Sequence, residues 1–243
     1  MRMLTFAGRN IKEILRDPLN LFFGLGFPLV LLLLLSVIQA NIPVKLFEIQ
    51  RLAPGITVFG LSFMTLFSAT IIAKDRGSSL LQRLYTTPMT PWDFIVGYTL
   101  PVIPVAVMQT VVCYIAAIIL GLEITVNILY AVIASVPVSL LYISFGLLFG
   151  SVLNEKQVGG ISGALLTNVS AWMSGVWFDL ELVGGTFSKI ANVLPFIHAV
   201  ELERAMISGN FSESLSHIYP VLGYAIVIMI GAILLFLRQT KKQ

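Results

Sequence analysis

The residues best suited to bond chemistry are one serine and two histidines. Ser162 lies in the stretch Gly160-Ile161-Ser162-Gly163, and the histidines are His198 and His217. A serine acts as a nucleophile only when a base lies within hydrogen-bond reach. The charge pattern given below puts both histidines at one end of the apolar segments and Ser162 near the other. At a rise of about 1.5 Å per residue, Ser162 and His217 are then roughly 20 Å or more apart, which argues against a catalytic dyad.

Metal and phosphate sites find equally little support. The stretch His198-Ala199-Val200-Glu201 lacks the second histidine of a zinc-binding HExxH helix, so we predict no metal site. The sequence also contains no G-x-x-x-x-G-K-[ST] loop, whose backbone and lysine bind the phosphates of ATP. We therefore expect no cofactor in this chain, and an ATP-driven motor would have to be another chain.

The composition is that of a membrane protein. Of the 243 residues, 57% are hydrophobic and 11% are charged, whereas soluble domains average about 25% charged residues. Six apolar runs are long enough for a helix that crosses the hydrocarbon core, which takes about 20 residues. They cover residues 19–40, 52–73, 94–120, 126–150, 158–177 and 218–237. We predict an all-α membrane protein whose residues 19–243 form one six-span domain, with a kink at Pro101 and Pro104.

Basic residues predict the orientation, because cytoplasmic loops carry the excess of Lys and Arg. If both termini are cytoplasmic, eleven basic residues lie inside and four outside. The eleven are Arg2, Arg9, Lys12, Arg16, Lys74, Arg76, Arg83, Lys156, Arg238, Lys241 and Lys242, and the four are Lys45, Arg51, Lys189 and Arg204. We predict a multi-pass protein of the cell membrane with cytoplasmic termini. Nucleic-acid binding is disfavoured, because the basic residues flank apolar runs and form no solvated block.

Two segments outside the spans have helical patterns. Residues 1–18 are predicted to form an amphipathic helix at the cytoplasmic interface. Its apolar face consists of Leu4, Ala7, Ile11, Ile14 and Leu15. The segment 178–217, between spans five and six, is predicted to form short outer helices broken at Pro195.

The predicted cytoplasmic loop, residues 74–93, is basic and patterned. A short helix would carry Leu80, Leu81 and Leu84 on one face, with Arg76 and Arg83 solvated. From the residues alone, this segment is either such a helix or a basic loop that only sets topology.

The run RGSSLLQRLYTTPMTPWDF resembles the cytoplasmic loop after the second span in type-2 ABC transporter permeases. The likeness extends to the amphipathic first helix, the six spans, the long outer loop and the basic tail. It implies a permease that pairs with a second permease, as homodimer or heterodimer, and with two ATP-binding cassette ATPase subunits, which bind ATP and Mg. In this family the loop meets the ATPase. The resemblance thus assigns ATPase coupling to Arg76, Leu80, Leu81, Arg83 and Leu84.

The predicted fifth span is rich in small residues, including Gly159 and Gly160, and carries polar residues near its middle. Small residues let helices pack closely, and we expect such packing within the subunit. An amide in the membrane is costly unless it finds a partner or a wet cavity. The resemblance places this span near the transport pathway and the dimer axis, so Thr167, Asn168 and Ser170 are the predicted pathway residues.

Together these patterns favour an export permease. It would move a drug, antimicrobial or lipid-like substrate out of the cytoplasm or inner leaflet by alternating access at a dimer interface, in contact with membrane lipids. Export of a lipid-linked glycan by the same mechanism stays open. A different class, an intramembrane serine protease, rests on the resemblance of Gly160–Gly163 to the GxSG of rhomboid-like proteases. A channel or passive carrier would need neither the patterned loop nor the amphipathic helix.

Overall fold

The regular structure of the protein is helical. The computed structural model describes residues 2–42, 45–78, 80 and 90–240, and no strand occurs among them, which confirms the all-α prediction. The helices are α1 (Arg2–Leu15), α2 (Pro18–Asn41), α3 (Ile49–Gly77), α4 (Pro91–Thr99), α5 (Val102–Ile119), α6 (Asn127–Val152), α7 (155–172), α8 (Leu180–Val183), α9 (Gly185–Val193), α10 (Pro195–Ser208) and α11 (Phe211–Thr240).

Among the described residues, five segments are long and apolar enough to cross a membrane. They are Pro18–Asn41, Ile49–Gly77, Trp92–Ile119, Asn127–Val152 and Phe211–Phe236, so the chain is a multi-pass membrane protein. The predicted fifth run, 158–177, differs, because α7 ends at Trp172 and turns follow it. Helix α7 also starts with the charged Glu155 and Lys156. By length and composition the structure therefore gives five spans, and the sixth stays a prediction.

Helix α3 is the centre of the bundle. In its most apolar 18-residue window 94% of the residues are buried, against 22% in α2 and 17% in α11. Helix α6 crosses it at Gly146 and Gly150. A Cβ atom at Gly146 would lie 2.4 Å from the Cβ of Ser68, and one at Gly150 would lie 2.8 Å from the Cβ of Ile72. These two glycines therefore allow the backbones of α3 and α6 to approach closely.

The two ends of the bundle differ in their helix boundaries. We call the basic end the one where α2 begins at Pro18, α3 ends at Gly77 and α4 begins at Pro91, and the other the far end. The side chain of Asp17 accepts a hydrogen bond from the backbone N–H of Asn20 and so caps α2. Proline at the first position completes this helix start. That the basic end is cytoplasmic remains a prediction.

Prolines also separate helices elsewhere. Helix α4 ends at Thr99 and α5 begins at Val102, so the third predicted run breaks at Leu100 and Pro101. Pro195 is the first residue of α10, which follows α9 after Leu194. Helix α10 packs against α3, α6 and α11. The short helix after Pro195 is thus part of the bundle.

The buried face of α1 is only partly the predicted one. Its buried side chains are Phe6, Ala7, Asn10 and Ile14. By contrast, Leu4 and Leu15 are 59% and 53% exposed. Two adjacent faces of α1 therefore carry apolar residues, one buried against the bundle and one more than half exposed. The interfacial location of residues 1–18 stays a prediction.

Candidate functional site: a polar anchor and an aromatic groove

The predicted coupling residues belong to the basic end. Arg76 is partly buried, and its Nη1 donates to the backbone oxygens of Gly150 at 2.8 Å and Leu153 at 3.2 Å. A cation is favoured at the last carbonyls of a helix, so Arg76 lies against the end of α6 and not on a solvated face. Leu80 is described and partly buried. The other three, Leu81, Arg83 and Leu84, lie outside the described residues.

Asp75, beside Arg76, is the centre of a buried polar cluster. Its side chain is 2% exposed, and its Oδ2 accepts hydrogen bonds from Arg9 at 2.7 Å and from the Tyr98 hydroxyl at 3.1 Å. Arg9 also donates to the Oδ1 of Asn10, and the Nδ2 of Asn10 donates to the backbone oxygen of Gly97 at 2.9 Å. We call Arg9, Asn10, Asp75 and Tyr98 the anchor. It joins α1, α3 and α4 around a buried carboxylate that has a cationic partner, as a buried charge requires.

Apolar and exposed ionic contacts reinforce the anchor. The ring of Phe6 meets those of Phe94 and Tyr98 edge-on, with centroids 5.8 and 5.0 Å apart. At the bundle surface, Lys74 donates to Glu13. This hydrogen bond lowers the pKa of Glu13 below its usual value. Helix α1 is therefore held to α3 and α4 by aromatic packing, a buried ion pair and a second, more exposed one.

The anchor fixes both ends of the segment 78–90. Helix α3 enters this segment two residues after Asp75, and α4 leaves it seven residues before Tyr98. At the start of α4, Thr90 and Asp93 form a reciprocal capping box, with Asp93 Oδ2 accepting from the Thr90 N–H at 2.7 Å. The helix ends on both sides of this segment are therefore held by α1. Sequence reasoning missed Asp75, although an acid directly after an apolar run is a signal, because such a carboxylate needs a partner.

A second feature is a groove between α2, α3 and α7, which we call the aromatic groove. Its volume is about 480 Å³. The aromatic lining consists of Phe23, Phe27, Phe59, Phe63 and Trp177. The rings contact one another, for example Phe59 with Phe63 at 5.6 Å and with Trp177 at 5.5 Å between centroids. The opposite wall comes from α7, where Gly163, Ala164, Thr167 and Asn168 line the space. Among the described residues, no charged side chain lines this groove.

The predicted pathway residues divide between the groove and the core. Asn168 lines the groove and is exposed, and its Nδ2 donates to the backbone oxygen of Ala164 at 2.8 Å. Thr167 also lines the groove but is buried. Ser170 points elsewhere, because its hydroxyl lies 2.6 Å from that of Tyr142 in the core. The structure therefore brings Thr167 and Asn168 together and separates Ser170 from them.

The small residues of α7 pack less closely than predicted. A Cβ atom added at Gly159 or Gly160 would meet no atom within 4 Å, and at Gly163 it would meet only the side chain of Leu66, at 3.3 Å. Within the described part of this subunit, Gly159 and Gly160 therefore show none of the expected tight packing. This part of α7 is open, apart from its contact with α3.

The candidate nucleophile has no base. His198 and His217 contact each other, with 3.0 Å between their Nδ1 atoms. The hydroxyl of Ser162 is buried and has no hydrogen-bond partner in the part of the chain that the structure describes. Neither histidine is therefore in place to activate Ser162.

The far end contains a buried acid that the sequence analysis did not single out. Glu203, on α10, is fully buried, and its Oε2 accepts from the Tyr114 hydroxyl at 2.8 Å. Its Oε1 has no partner among the described residues. Burial raises the pKa of Glu203 to about 8, although the Tyr114 hydrogen bond works against this. Glu203 is thus mostly protonated at neutral pH. Its neighbours Glu201 and Arg204 form a partly buried ion pair, and the sequence alone shows only a helix with several charged residues.

Comparisons with known proteins agree with this arrangement. The model of a family described as "ABC-2 type transporter" matches residues 2–207. Two curated proteins, from Escherichia coli K12 and Escherichia coli O157:H7, are each 23% identical to this chain over 165 residues. Both carry the name "Probable multidrug ABC transporter permease YbhR". The matched region is 68% of this chain and 44% of each relative, so the chain spans less than half of their length. Because the family model matches most of its length, the chain belongs to the ABC-2 type transporter family.

Proposed function

We propose that this chain is the membrane permease subunit of an ATP-binding cassette exporter. It would move a drug, antimicrobial or lipid-like substrate out of the cytoplasm or inner leaflet, driven by two separate ATPase subunits that bind ATP and Mg. The observation that carries the proposal is the anchor, in which α1 is tied to the helix ends on both sides of the segment 78–90. A passive channel has no use for such a connection.

The anchor would transmit force from the ATPase to the spans. In this proposal the segment 78–90 meets the ATPase through Leu80, Leu81 and Leu84, with Arg83 at the edge of the contact. Arg76 and Asp75 then connect the segment to α6 and α1. Because α3 is the most buried helix, a movement of its basic end would reach the groove formed in part by Phe59 and Phe63.

The aromatic groove would form part of the transport pathway. It is open on a face that includes the uncovered Gly159 and Gly160 of α7, and a second permease on this face would close it. The 18 residues of α7 are about 27 Å long at about 1.5 Å per residue, close to a hydrocarbon core of about 30 Å. We therefore keep α7 as the proposed sixth crossing, which puts both termini on the same side.

The lining of the groove favours one substrate class. The described lining combines aromatic side chains with the amides of Asn20 and Asn168 and has no charged side chain, which suits apolar and aromatic compounds. A drug or antimicrobial fits this lining better than a lipid-linked glycan, which presents many hydroxyl groups. The names of the two E. coli relatives point to the same class.

The test is reconstitution with an ATP-binding cassette ATPase, which the proposal expects the neighbouring reading frame to encode. We expect the two proteins to copurify and aromatic drugs to stimulate ATP hydrolysis and to be moved across vesicles. Failure to copurify, together with hydrolysis that no compound stimulates, would contradict the proposal. A separate experiment tests the protease alternative. If the chain is a permease, Ser162→Ala should leave transport unchanged. Cleavage of a transmembrane substrate that Ser162→Ala abolishes would support the alternative.

A further inference from the structure

The turn between α1 and α2 encloses a polar pocket, which we call the elbow pocket. Its volume is about 200 Å³, room for roughly six waters at about 30 Å³ each. Its polar lining consists of Glu13, Arg16, Asp17, Asn20, Thr70 and Lys74. The pocket lies where the first span begins and the second ends. Whatever the orientation of the chain, this is the depth of lipid head groups.

Some polar side chains of this lining already form hydrogen bonds with one another, and others do not. Lys74 donates to Glu13, and Asp17 accepts from the N–H and the Nδ2 of Asn20. The guanidinium of Arg16 and the hydroxyl of Thr70 have no hydrogen-bond partner within the described ranges. Free donors therefore face a pocket in which every carboxylate also keeps unused lone pairs.

The charges of the lining select the kind of head group. Arg16 and Lys74 balance Glu13 and Asp17, so a simple anion would meet as much repulsion as attraction. A zwitterion avoids this conflict, because its phosphate can approach Arg16 while its ammonium approaches a carboxylate. The pocket thus suits a head group that carries both signs.

The elbow pocket also adjoins an apolar site. Asn20 lines both the pocket and the aromatic groove. Apolar side chains, including Phe67 and Ile71, line the pocket beside its polar groups. A molecule with its head at Arg16 could place its apolar part along Phe23, next to Asn20 in the groove.

We propose that the elbow pocket binds the zwitterionic head of an amphiphile of the phosphoethanolamine type, whose apolar part lies in the aromatic groove. This deepens the proposed function and rests on it where the groove is concerned. The amphiphile is either a resident bilayer lipid or a transported molecule, and both share this chemistry. Arg16 binds the phosphate, and Thr70 contributes a hydroxyl.

The test is native mass spectrometry of the purified chain with three synthetic lipids that have the same acyl chains. We expect phosphatidylethanolamine to be retained over phosphatidylglycerol and over diacylglycerol. Arg16→Gln should lower its retention about tenfold, the scale of one lost charge-assisted hydrogen bond. Arg238→Gln is the matched control, because Arg238 is exposed on α11 and outside the pocket, and it should leave retention unchanged. Thermal unfolding of both variants checks that they fold.

Equal retention of the three lipids, or an equal response of Arg16→Gln and Arg238→Gln, would overturn the proposal. If drugs still stimulate ATP hydrolysis in the complex while no lipid preference exists, this inference fails and the proposed function stands. A second experiment distinguishes a transported amphiphile from a resident lipid. It measures whether a fluorescent phosphatidylethanolamine moves across vesicles that contain the complex. Movement with ATP shows a transported amphiphile, and binding without movement shows a resident lipid. Either result supports the pocket.

Discussion

The basic end and the far end of the bundle each bury a carboxyl group, and they do so in opposite ways. Asp75 accepts hydrogen bonds from a cation and a hydroxyl that belong to two other helices. Glu203 accepts one hydrogen bond from a neutral hydroxyl and keeps one oxygen unpartnered. The first arrangement holds a charge in place and ties three helices together. The second favours the protonated form of the carboxyl group, because burial raises the pKa of Glu203.

This difference bears on function, because only the basic end lies beside the segment that would meet a motor. A charged, well-partnered cluster resists distortion and can transmit a displacement. The aromatic groove, further along α3, has no such network and leaves an amide exposed. In the proposed function, the groove is the part of the molecule that accepts a ligand.

The largest effect is expected from breaking the anchor. Asp75→Ala removes the buried carboxylate that accepts hydrogen bonds from the Tyr98 hydroxyl and from Arg9. Loss of one member of a buried pair costs about 3–5 kcal/mol. Since the Arg9 side chain is 37% exposed and can turn to water, we expect about 2–3 kcal/mol here. Denaturant unfolding of the purified protein measures it.

The matched control is Glu13→Gln, which breaks the more exposed pair with Lys74. Because solvent screens that pair, its loss should cost less than about 1 kcal/mol. If both variants lose the same stability, the anchor has no special status and the comparison between the two ends fails.

At the far end, stability should depend on pH. The pKa of Glu203 rises from an unfolded value of 4.5 to about 8 in the folded protein, so the folded state binds the extra proton. The free energy of unfolding is therefore highest below pH 4.5 and falls as the pH rises towards 8. Between pH 5 and 7 we expect a fall of about 2 kcal/mol, at about 1 kcal/mol per pH unit. Glu203→Gln should flatten this part of the profile in denaturant titrations, and an unchanged slope would show that Glu203 is not its source.

In the groove, Asn168→Leu should change transport but not stability. The side chain is exposed, and within the described part of the chain its hydrogen bond is to its own helix, so the unfolding free energy should stay within about 0.5 kcal/mol. Loss of one neutral hydrogen bond to a substrate should change the half-maximal drug concentration for ATPase stimulation about 2–10-fold. Asn41→Leu is the control, because Asn41 makes the same bond to its own helix outside the groove. A less stable variant with unchanged drug selectivity would assign Asn168 to packing.

The orientation can be tested without any change in stability. Cys113 is buried, so it should react little with thiol reagents. Labelling of a single cysteine introduced at Ser79 or at Ser188 can then be measured above that low background. An impermeant thiol reagent outside the cell should label Ser188→Cys and not Ser79→Cys. The reverse pattern would place the basic end outside.

Five of the six predicted spans agree with the structure, because long apolar runs leave few alternatives in a membrane. The helix breaks at Pro101 and Pro195 could be predicted because proline lacks the backbone N–H that a continuing helix needs. The anchor could not be predicted, since Arg9 and Asp75 are 66 residues apart and only packing joins them. The same holds for Glu203 and Tyr114, which are 89 residues apart. On α7, composition suggested close packing, but whether a face is covered depends on neighbours that a sequence does not show.

The most direct test of the account concerns the loop itself. In Leu81→Ser with Leu84→Ser, the spans should still insert, because neither leucine lies in a span, but the loop loses apolar contact worth about 25 cal/mol per Å² buried. Leu182→Ser with Val183→Ser, two exposed residues at the far end, is the matched control. After reconstitution with the ATPase, we expect drug-stimulated hydrolysis and transport to be lost in the loop variant and kept in the control. Full stimulation and transport in the loop variant would contradict the account, because the loop would then only set topology.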